Sequence, residues 1–326
     1  MDPWRQLPGR TSSRVTVPAG LAAFLGEDRQ EWVAAVPELA AGFLDGWRLR
    51  LDGPAAHGMN ALVLPVQRED GTPAALKLQP PTRESVGEPK ALRAWGGTGA
   101  VILLDHDAES GTMLLERLDA RRSLARVPDA EAALLALSEL MARLLRTPAP
   151  TGLRTLTDIS AALLDAAPRA LLSLADPLEH RLLLSCAGAL REVSGEAGAL
   201  LLHGDLHCDN VLAPLPGSDR QPWRAIDPKP LVGDPGFDLL PAIGNRWEER
   251  IPARQVLRRF DLMTDALALD RRRAVRWTLG RVLQNALRDI EDGQNAVAPG
   301  QAAMARLLLG HDRDTQQTRP GVNLRS

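Results

Sequence analysis

The chain has 326 residues, of which 44% are hydrophobic and 25% charged, with a formal net charge of -2. That length exceeds a usual single core, so two packed domains are expected, and the near-neutral balance argues against a nucleic-acid or anionic-membrane partner. Two cysteines, Cys186 and Cys208, are too few for a disulfide framework and lack metal-ligand spacing, which fits a reducing compartment such as the cytoplasm.

Met1 to Gly20 mixes Arg10 and Arg14 with prolines and holds no long apolar run. It reads as a flexible arm rather than a secretory signal or a membrane span. From Gly46 to Leu118, short runs are separated by turn residues: Trp47 to Leu51, Ala61 to Val66, Ala74 to Leu78, Val101 to Leu104 and Thr112 to Arg117. The pattern predicts five antiparallel strands and one inserted helix, Glu84 to Trp95, closed by Gly96 and Gly97. Beyond Pro128 the period becomes helical, first over Asp129 to Arg146, with Leu134, Leu137, Met141 and Leu144 in step. Asp176-Pro177 offers a cap and a first-turn proline for a helix carrying Leu182, Leu183, Cys186 and Leu190. Two more helices follow, Ala253 to Leu269 and Arg271 to Ile290. The expectation is an α+β chain: a flexible N-terminal arm at 1–20, a sheet-rich nucleotide-binding lobe at 21–118, a mainly helical catalytic and substrate lobe at 119–310, and a mobile polar tail at 311–326.

The chemistry gathers at a few positions. Only Lys77, Lys90 and Lys229 are lysines, so 36 of the 39 basic residues are arginine, and a lysine here marks either a place where a compact ammonium is useful or a survivor of mutational bias toward arginine. Lys77 falls inside an apolar strand, where a charge needs partners; a nucleotide phosphate and a helix glutamate would supply them. Glu84 and Glu88 are the candidates, and Glu88 is preferred because Pro89 suits the first helical turn. A lysine whose stem snorkels from a sheet edge is the plainer reading. Gly53 and Gly58 flank a turn but lack a G-x-G-x-x-G spacing, so they do not by themselves indicate ATP. Around Glu116 and Leu118 the chain joins the two lobes, and its backbone is a candidate for an adenine edge.

The run Leu201 to Leu212 contains His203-Gly204-Asp205-Leu206, with Asn210 five residues beyond Asp205. This is the H-x-D-L-x-x-x-N spacing of a kinase catalytic loop: Asp205 as the base for an attacking hydroxyl, Asn210 as a neutral oxygen ligand for Mg²⁺. Asp227 ends the run Trp223 to Ile226 and supplies an anionic ligand for the same ion, with a hairpin between it and Asn210. Taken singly, each of these residues also suits a turn whose backbone it satisfies. His203 reads as a buttress of the loop. Asp238, in the Gly233 to Leu240 turn, reads as a cap or brace of it.

Together these segments resemble the aminoglycoside phosphotransferases, in particular the streptomycin 6-phosphotransferase group. His203-Gly204-Asp205-Leu206-His207 with Asn210, Ile226-Asp227-Pro228-Lys229-Pro230 and Gly233-Asp234-Pro235-Gly236-Phe237-Asp238 carry the likeness, joined by Ala75 to Pro80, Gly87 to Trp95, Gly111 to Leu118 and Trp277 to Leu287. The resemblance implies a bilobal protein-kinase-like fold and transfer of the γ-phosphate of ATP, with Mg²⁺, to the 6-hydroxyl of streptomycin by a cytoplasmic monomer. In it Asp205 is the base, Asn210 and Asp227 hold the metal, and Lys77 binds phosphate. Gly204 stands where protein kinases carry Arg, and Pro228-Lys229 replaces Phe-Gly after the metal aspartate, so control by a phosphorylated activation loop is not expected. A kinase for another small hydroxylated molecule such as hydroxyurea is the alternative, as is a nucleotide- or drug-binding module without catalysis. Glu248, Glu249, Asp289, Glu291 and Asp292 can meet guanidinium groups of a substrate, and solvated helix faces explain these acids equally well.

Overall fold

The computed structural model describes residues 15–18, 20–21, 29–218, 220, 222–244 and 253–317. Most of the expected arm, the end of the tail, and Glu248 and Glu249 therefore lie outside the described residues. The chain divides into two compact units, one formed by Met1–Asp119 with Pro214–Arg220 and the other by Ala120–Ala213 with Gln221–Ser326. The return of Pro214–Arg220 to the first unit has no counterpart in the sequence reading.

The first unit begins with a helix that the strand pattern did not predict, α1 (Gln30–Gly46), which buries Trp32, Val36, Ala40 and Leu44 at four-residue steps. Pro37 interrupts its hydrogen bonds and no side chain caps its start, so the usual start signal is missing. Strands β1 (Arg50–Leu51), β2 (Ala56–His57), β3 (Leu62–Gln67) and β4 (Pro73–Leu78) follow, then helix α2 (Glu88–Trp95) and strands β5 (Leu103–His106) and β6 (Met113–Glu116). They form a six-stranded sheet in the order β1-β3-β4-β6-β5 with β2 paired to β3, one short edge strand more than the five expected. Helix α2 starts at Glu88 rather than Glu84, with Pro89 in its first turn, and ends at Gly96 in the left-handed conformation.

The strand period decides which way Lys77 faces. Ala74, Leu76 and Leu78 of β4 share a core with Leu62, Leu64 and Val66 of β3 and with Val36, Ala40 and Leu44 of α1. Successive side chains alternate between the two faces of a strand, so Lys77 projects from the opposite one.

The second unit is mainly helical. From β7 (Leu118–Ser123) the chain enters α3 (Ala130–Leu144), β8 (Arg154–Thr155), α4 (Leu156–Ala170), α5 (Pro177–Val193), β9 (Leu200–Leu202), β10 (Val211–Pro214), β11 (Arg224–Ala225), β12 (Leu231–Gly233), α6 (Leu239–Gly244), α7 (Ala253–Ala266), α8 (Arg271–Glu291) and α9 (Pro299–Gln317). Aspartates cap the three best-patterned helices: Asp129 accepts from the amides of Glu131 and Ala132, Asp176 from Leu178, and Asp270 from Arg273. Helices α5 and α8 cross closely at Gly280, where a Cβ would lie 2.7 Å from Leu190 Cδ1. Helix α9 runs through Gln317, past His311 where the sequence suggested a polar tail. Two small sheets, β11-β10-β7 and β8-β12-β9, complete the unit and carry the loops of interest. Among the described residues no helix is long and apolar enough to cross a membrane.

Leu76 is fully buried beneath α1. Leu76→Ala is expected to lower the unfolding free energy by about 2–5 kcal/mol, as cavity-forming core truncations do; denaturant titration monitored by circular dichroism checks it.

Candidate active site

In the first unit Lys77 Nζ donates to both carboxylate oxygens of Glu88, at 2.8 and 2.9 Å. Both side chains are almost wholly buried, at 5% and 1% exposure, which makes the pair expensive to break. Gln79, just past the end of β4 and two residues beyond Lys77, donates to Glu88 Oε2 at 2.7 Å. One carboxylate is thus held by a side chain of β4 and another from the residue that follows it, and the sequence reading missed Gln79 as a site residue. Its two-residue spacing from Lys77 was the available signal.

Glu116 is less open than expected. Its carboxylate accepts from Arg220 Nη1 at 2.8 Å and from the Ile102 amide at 3.1 Å, while its own amide donates to the Ile102 carbonyl at 2.9 Å. The Glu116 N–H is therefore engaged within the first unit. Arg220 also donates to the Gly97 carbonyl at 2.7 Å, so it pins the end of β6 to the turn after α2. Leu118 opens β7 and is buried.

In the second unit β9 leads into the loop 203–210, a 3₁₀ turn covers Cys208–Asn210, and β10 leads out. Antiparallel pairing of Val211 with Ala225 and Leu212 with Arg224 makes the hairpin that sets Asn210 close to Asp227 in the fold, and the Ile226 amide donates to the Asn210 carbonyl at 2.9 Å. Asn210 Nδ2 donates to the Asp205 carbonyl at 2.9 Å. That bond assigns the amide and leaves its oxygen pointing away from the loop backbone. Ser123 Oγ donates to the Cys208 carbonyl at 3.1 Å, a further tie on the same loop.

His203 is the hub. It is 2% exposed; its amide donates to Asp238 Oδ2 at 3.0 Å, its carbonyl accepts from the Lys229 amide at 2.8 Å, and its ring touches both neighbouring segments. Nδ1 accepts from the Asp205 amide at 3.3 Å and Nε2 donates to the Ile226 carbonyl at 3.1 Å, an arrangement open only to the neutral ring with its proton on Nε2. Burial pushes the His203 pKa down to about 3, only partly offset by the nearby Asp227 charge. A ring so placed orients the loop, with its one N–H proton committed to the Ile226 carbonyl. Asp238 is likewise buried, and desolvation pushes its carboxyl up to about 6 against the opposing pull of Arg281 and the Gly204 amide.

Two backbone features shape the same loop. Gly204 has φ +81°, and a Cβ there would lie 2.0 Å from the Lys229 carbonyl oxygen, so no other residue fits without moving the segment. Asp227 has φ +55°, the left-handed region that aspartate tolerates better than most residues. Its Oδ2 accepts from Lys229 Nζ at 2.9 Å, a contact that the sequence reading did not foresee. Asp205 itself is half-buried, and His207 Nδ1 lies 3.4 Å from Asp209 Oδ2 on the outer side of the turn. Asp289 and Asp292 sit at the C-terminal end of α8, where burial and the Asp292 charge raise the Asp289 pKa.

An antiparallel sheet whose buried strand lysine pairs with a helix glutamate, and a helical unit with an aspartate loop buttressed by a neutral histidine, define a kinase-like fold and a phosphotransferase. The crystal structure of a choline/ethanolamine kinase family protein from Mesorhizobium loti shares that fold at a TM-score of 0.52, with 20% identity over 87% of this chain and 99% of the other. The chain belongs to the aminoglycoside/hydroxyurea antibiotic resistance kinase family, whose model matches residues 46–293. It is 52% identical to a streptomycin 6-kinase of Streptomyces glaucescens over 309 residues, 92% of this chain and 99% of that protein. It is also 52% identical to a hydroxyurea phosphotransferase of Kitasatospora aureofaciens over 307 residues, covering 92% of this chain and 88% of the relative.

The buried neutral His203 has a consequence for acid stability. A histidine whose folded pKa lies below its unfolded value of 6.5 stabilises the native state fully above pH 6.5 and loses that contribution as pH falls toward 3. His203→Gln, which keeps a donor and an acceptor but cannot titrate, is expected to flatten the fall in unfolding free energy between pH 6.5 and 4. Urea denaturation at several pH values measures the slope; equal slopes in the two proteins would contradict the assignment.

Proposed function

We propose that this chain transfers the γ-phosphoryl group of ATP to the 6-hydroxyl of streptomycin, inactivating the drug in the cytoplasm as a monomer. The observation that carries this reading is the 52% identity to a streptomycin 6-kinase over nearly the whole of both proteins. The hydroxyurea phosphotransferase at the same identity supports a second acceptor, the hydroxyl of hydroxyurea. Cys186 and Cys208 are buried and outside any disulfide, which fits a reducing compartment.

The chain's own groups have clear assignments in such a transfer. Lys77, held at a fixed height by Glu88 and Gln79, neutralises phosphate oxygens of the nucleotide, and the backbone at Leu118 meets the adenine edge. Asp205 takes the proton from the acceptor hydroxyl as its oxygen bonds to the γ-phosphorus and the bond from that phosphorus to the bridging oxygen of ADP breaks. With its ring neutral and buried, His203 leaves Asp205 as the base and keeps the loop in place. The Asn210 amide oxygen, turned away from the loop backbone, and the Asp227 carboxylate form the hard oxygen pair that suits Mg²⁺. Bound there, Mg²⁺ supplies charge neutralisation for the phosphates. Catalysis then rests on positioning and charge rather than on a covalent enzyme intermediate.

A coupled ADP-release assay with streptomycin, hydroxyurea and a deoxystreptamine aminoglycoside tests the acceptor, and turnover is expected with streptomycin. Asp205→Asn should reduce kcat by about 10²–10⁴-fold, the usual worth of a positioned base, while leaving ATP affinity within about twofold. Near-parental turnover in that variant would remove Asp205 from the mechanism; turnover with hydroxyurea alone would transfer the acceptor assignment.

A further inference from the structure

Lys229 stands two residues beyond Asp227 in a chain that uses arginine for 36 of its 39 basic positions. Of the other two lysines, Lys77 is committed to Glu88 and Lys90 lies exposed on α2. The Lys229 backbone is held on both sides: its amide donates to the His203 carbonyl at 2.8 Å and its carbonyl accepts from Arg154 Nη2 at 3.0 Å. Pro228 between Asp227 and Lys229 has its φ locked by its ring. With the backbone so fixed, the side chain reaches Asp227 Oδ2 at 2.9 Å and retains only 19% of its exposure.

We propose that Lys229 is a positioning residue that serves as the resident counter-cation of Asp227, holding its carboxylate until a divalent cation takes over that oxygen. The inference rests on the reading in which Asp227 is a metal ligand. Three observations carry it. Asp227 sits in left-handed backbone at φ +55°, a conformation of non-glycine residues that persists where surrounding contacts over-determine it. The ammonium occupies one of the two oxygens that a metal would use, and an ammonium near 2.9 Å and a divalent ion at about 2.1 Å cannot both approach that oxygen from the same side. Finally, the residue type suits the task. A lysine offers a single point charge on a flexible stem that can swing away, whereas the planar fork of an arginine would grip both oxygens and resist displacement.

The consequence is a competition between two cations for one carboxylate. Removing the ammonium should strengthen binding of the metal itself, the opposite of what loss of a merely structural ion pair would do. The test is Mn²⁺ binding to the nucleotide-free full chain, read by electron paramagnetic resonance of the free ion. Lys229→Met is expected to bind Mn²⁺ about fivefold to tenfold more tightly than the parent, a modest gain because the pair is partly solvent-screened. Lys229→Arg should bind no more tightly than the parent. Asp227→Asn should lose binding, and the Asp227→Asn, Lys229→Met double variant should match Asp227→Asn alone. Thermal unfolding gives a second readout: in chelator Lys229→Met should melt below the parent and gain more from added Mn²⁺. If Asp227→Asn loses Mn²⁺ while Lys229→Met binds it equally or less tightly, the counter-cation role is overturned and the metal reading stands. If Asp227→Asn binds Mn²⁺ like the parent, the metal reading falls and the counter-cation role falls with it.

Discussion

The backbone at Gly204 runs so near the Lys229 carbonyl that even one added carbon would lie 2.0 Å from that oxygen. This approach brings the segment 226–229 against the loop 203–210, where hydrogen bonds join the two. The His203 ring can then reach the Ile226 carbonyl, the Lys229 amide can reach the His203 carbonyl, and Asp238 can take the His203 amide. Buried polar groups in such a network are stabilising only while each has its partner. The neutral ring of His203 and the raised pKa of Asp238 are the electrostatic signs of how dry the network is. Asp205, by contrast, stays partly open to solvent on a loop whose neighbours are locked, which is the placement a base needs when its substrate arrives from outside.

The first unit solves a related problem with charge. A lysine and a glutamate buried to a few percent exposure are costly to desolvate, and a well-packed apolar pair would serve stability as well or better. Gln79 adds to the arrangement by fixing the glutamate from just beyond the end of β4, so the ammonium of Lys77 is aimed by two residues instead of one. Arg220 applies the same logic to the end of β6, gripping Glu116 and the Gly97 carbonyl from a segment that returns to this unit from between β10 and β11.

Much of this was legible in the sequence where a local rule operates. The strand pattern placed Lys77 inside β4, Pro89 and Gly96 bounded α2, and the cap at Asp176 marked a third element, because each signal acts within a few residues. The hairpin between Asn210 and Asp227 was readable from two apolar runs separated by a polar stretch. Helix α1 escaped because Pro37 sits in its middle and no capping side chain announces it, whereas α4 was missed although Thr155 caps its start. The contacts of Lys229 with Asp227 and of Arg220 with Glu116 were not legible, since the first depends on the left-handed turn at Asp227 and the second joins residues 104 positions apart. Glu116 shows a mixture of the two: its position in β6 was legible, but the tie of its amide to the Ile102 carbonyl was not.

The central claim is that this site builds a phosphate ester on a hydroxyl of an aminoglycoside. Phosphorus NMR combined with mass spectrometry of streptomycin, after incubation with ATP and the full chain, tests it most directly. One phosphate monoester on the 6-hydroxyl of the streptidine ring, formed together with ADP, is the expected product. Recovery of unmodified streptomycin under conditions where ATP is bound would contradict it.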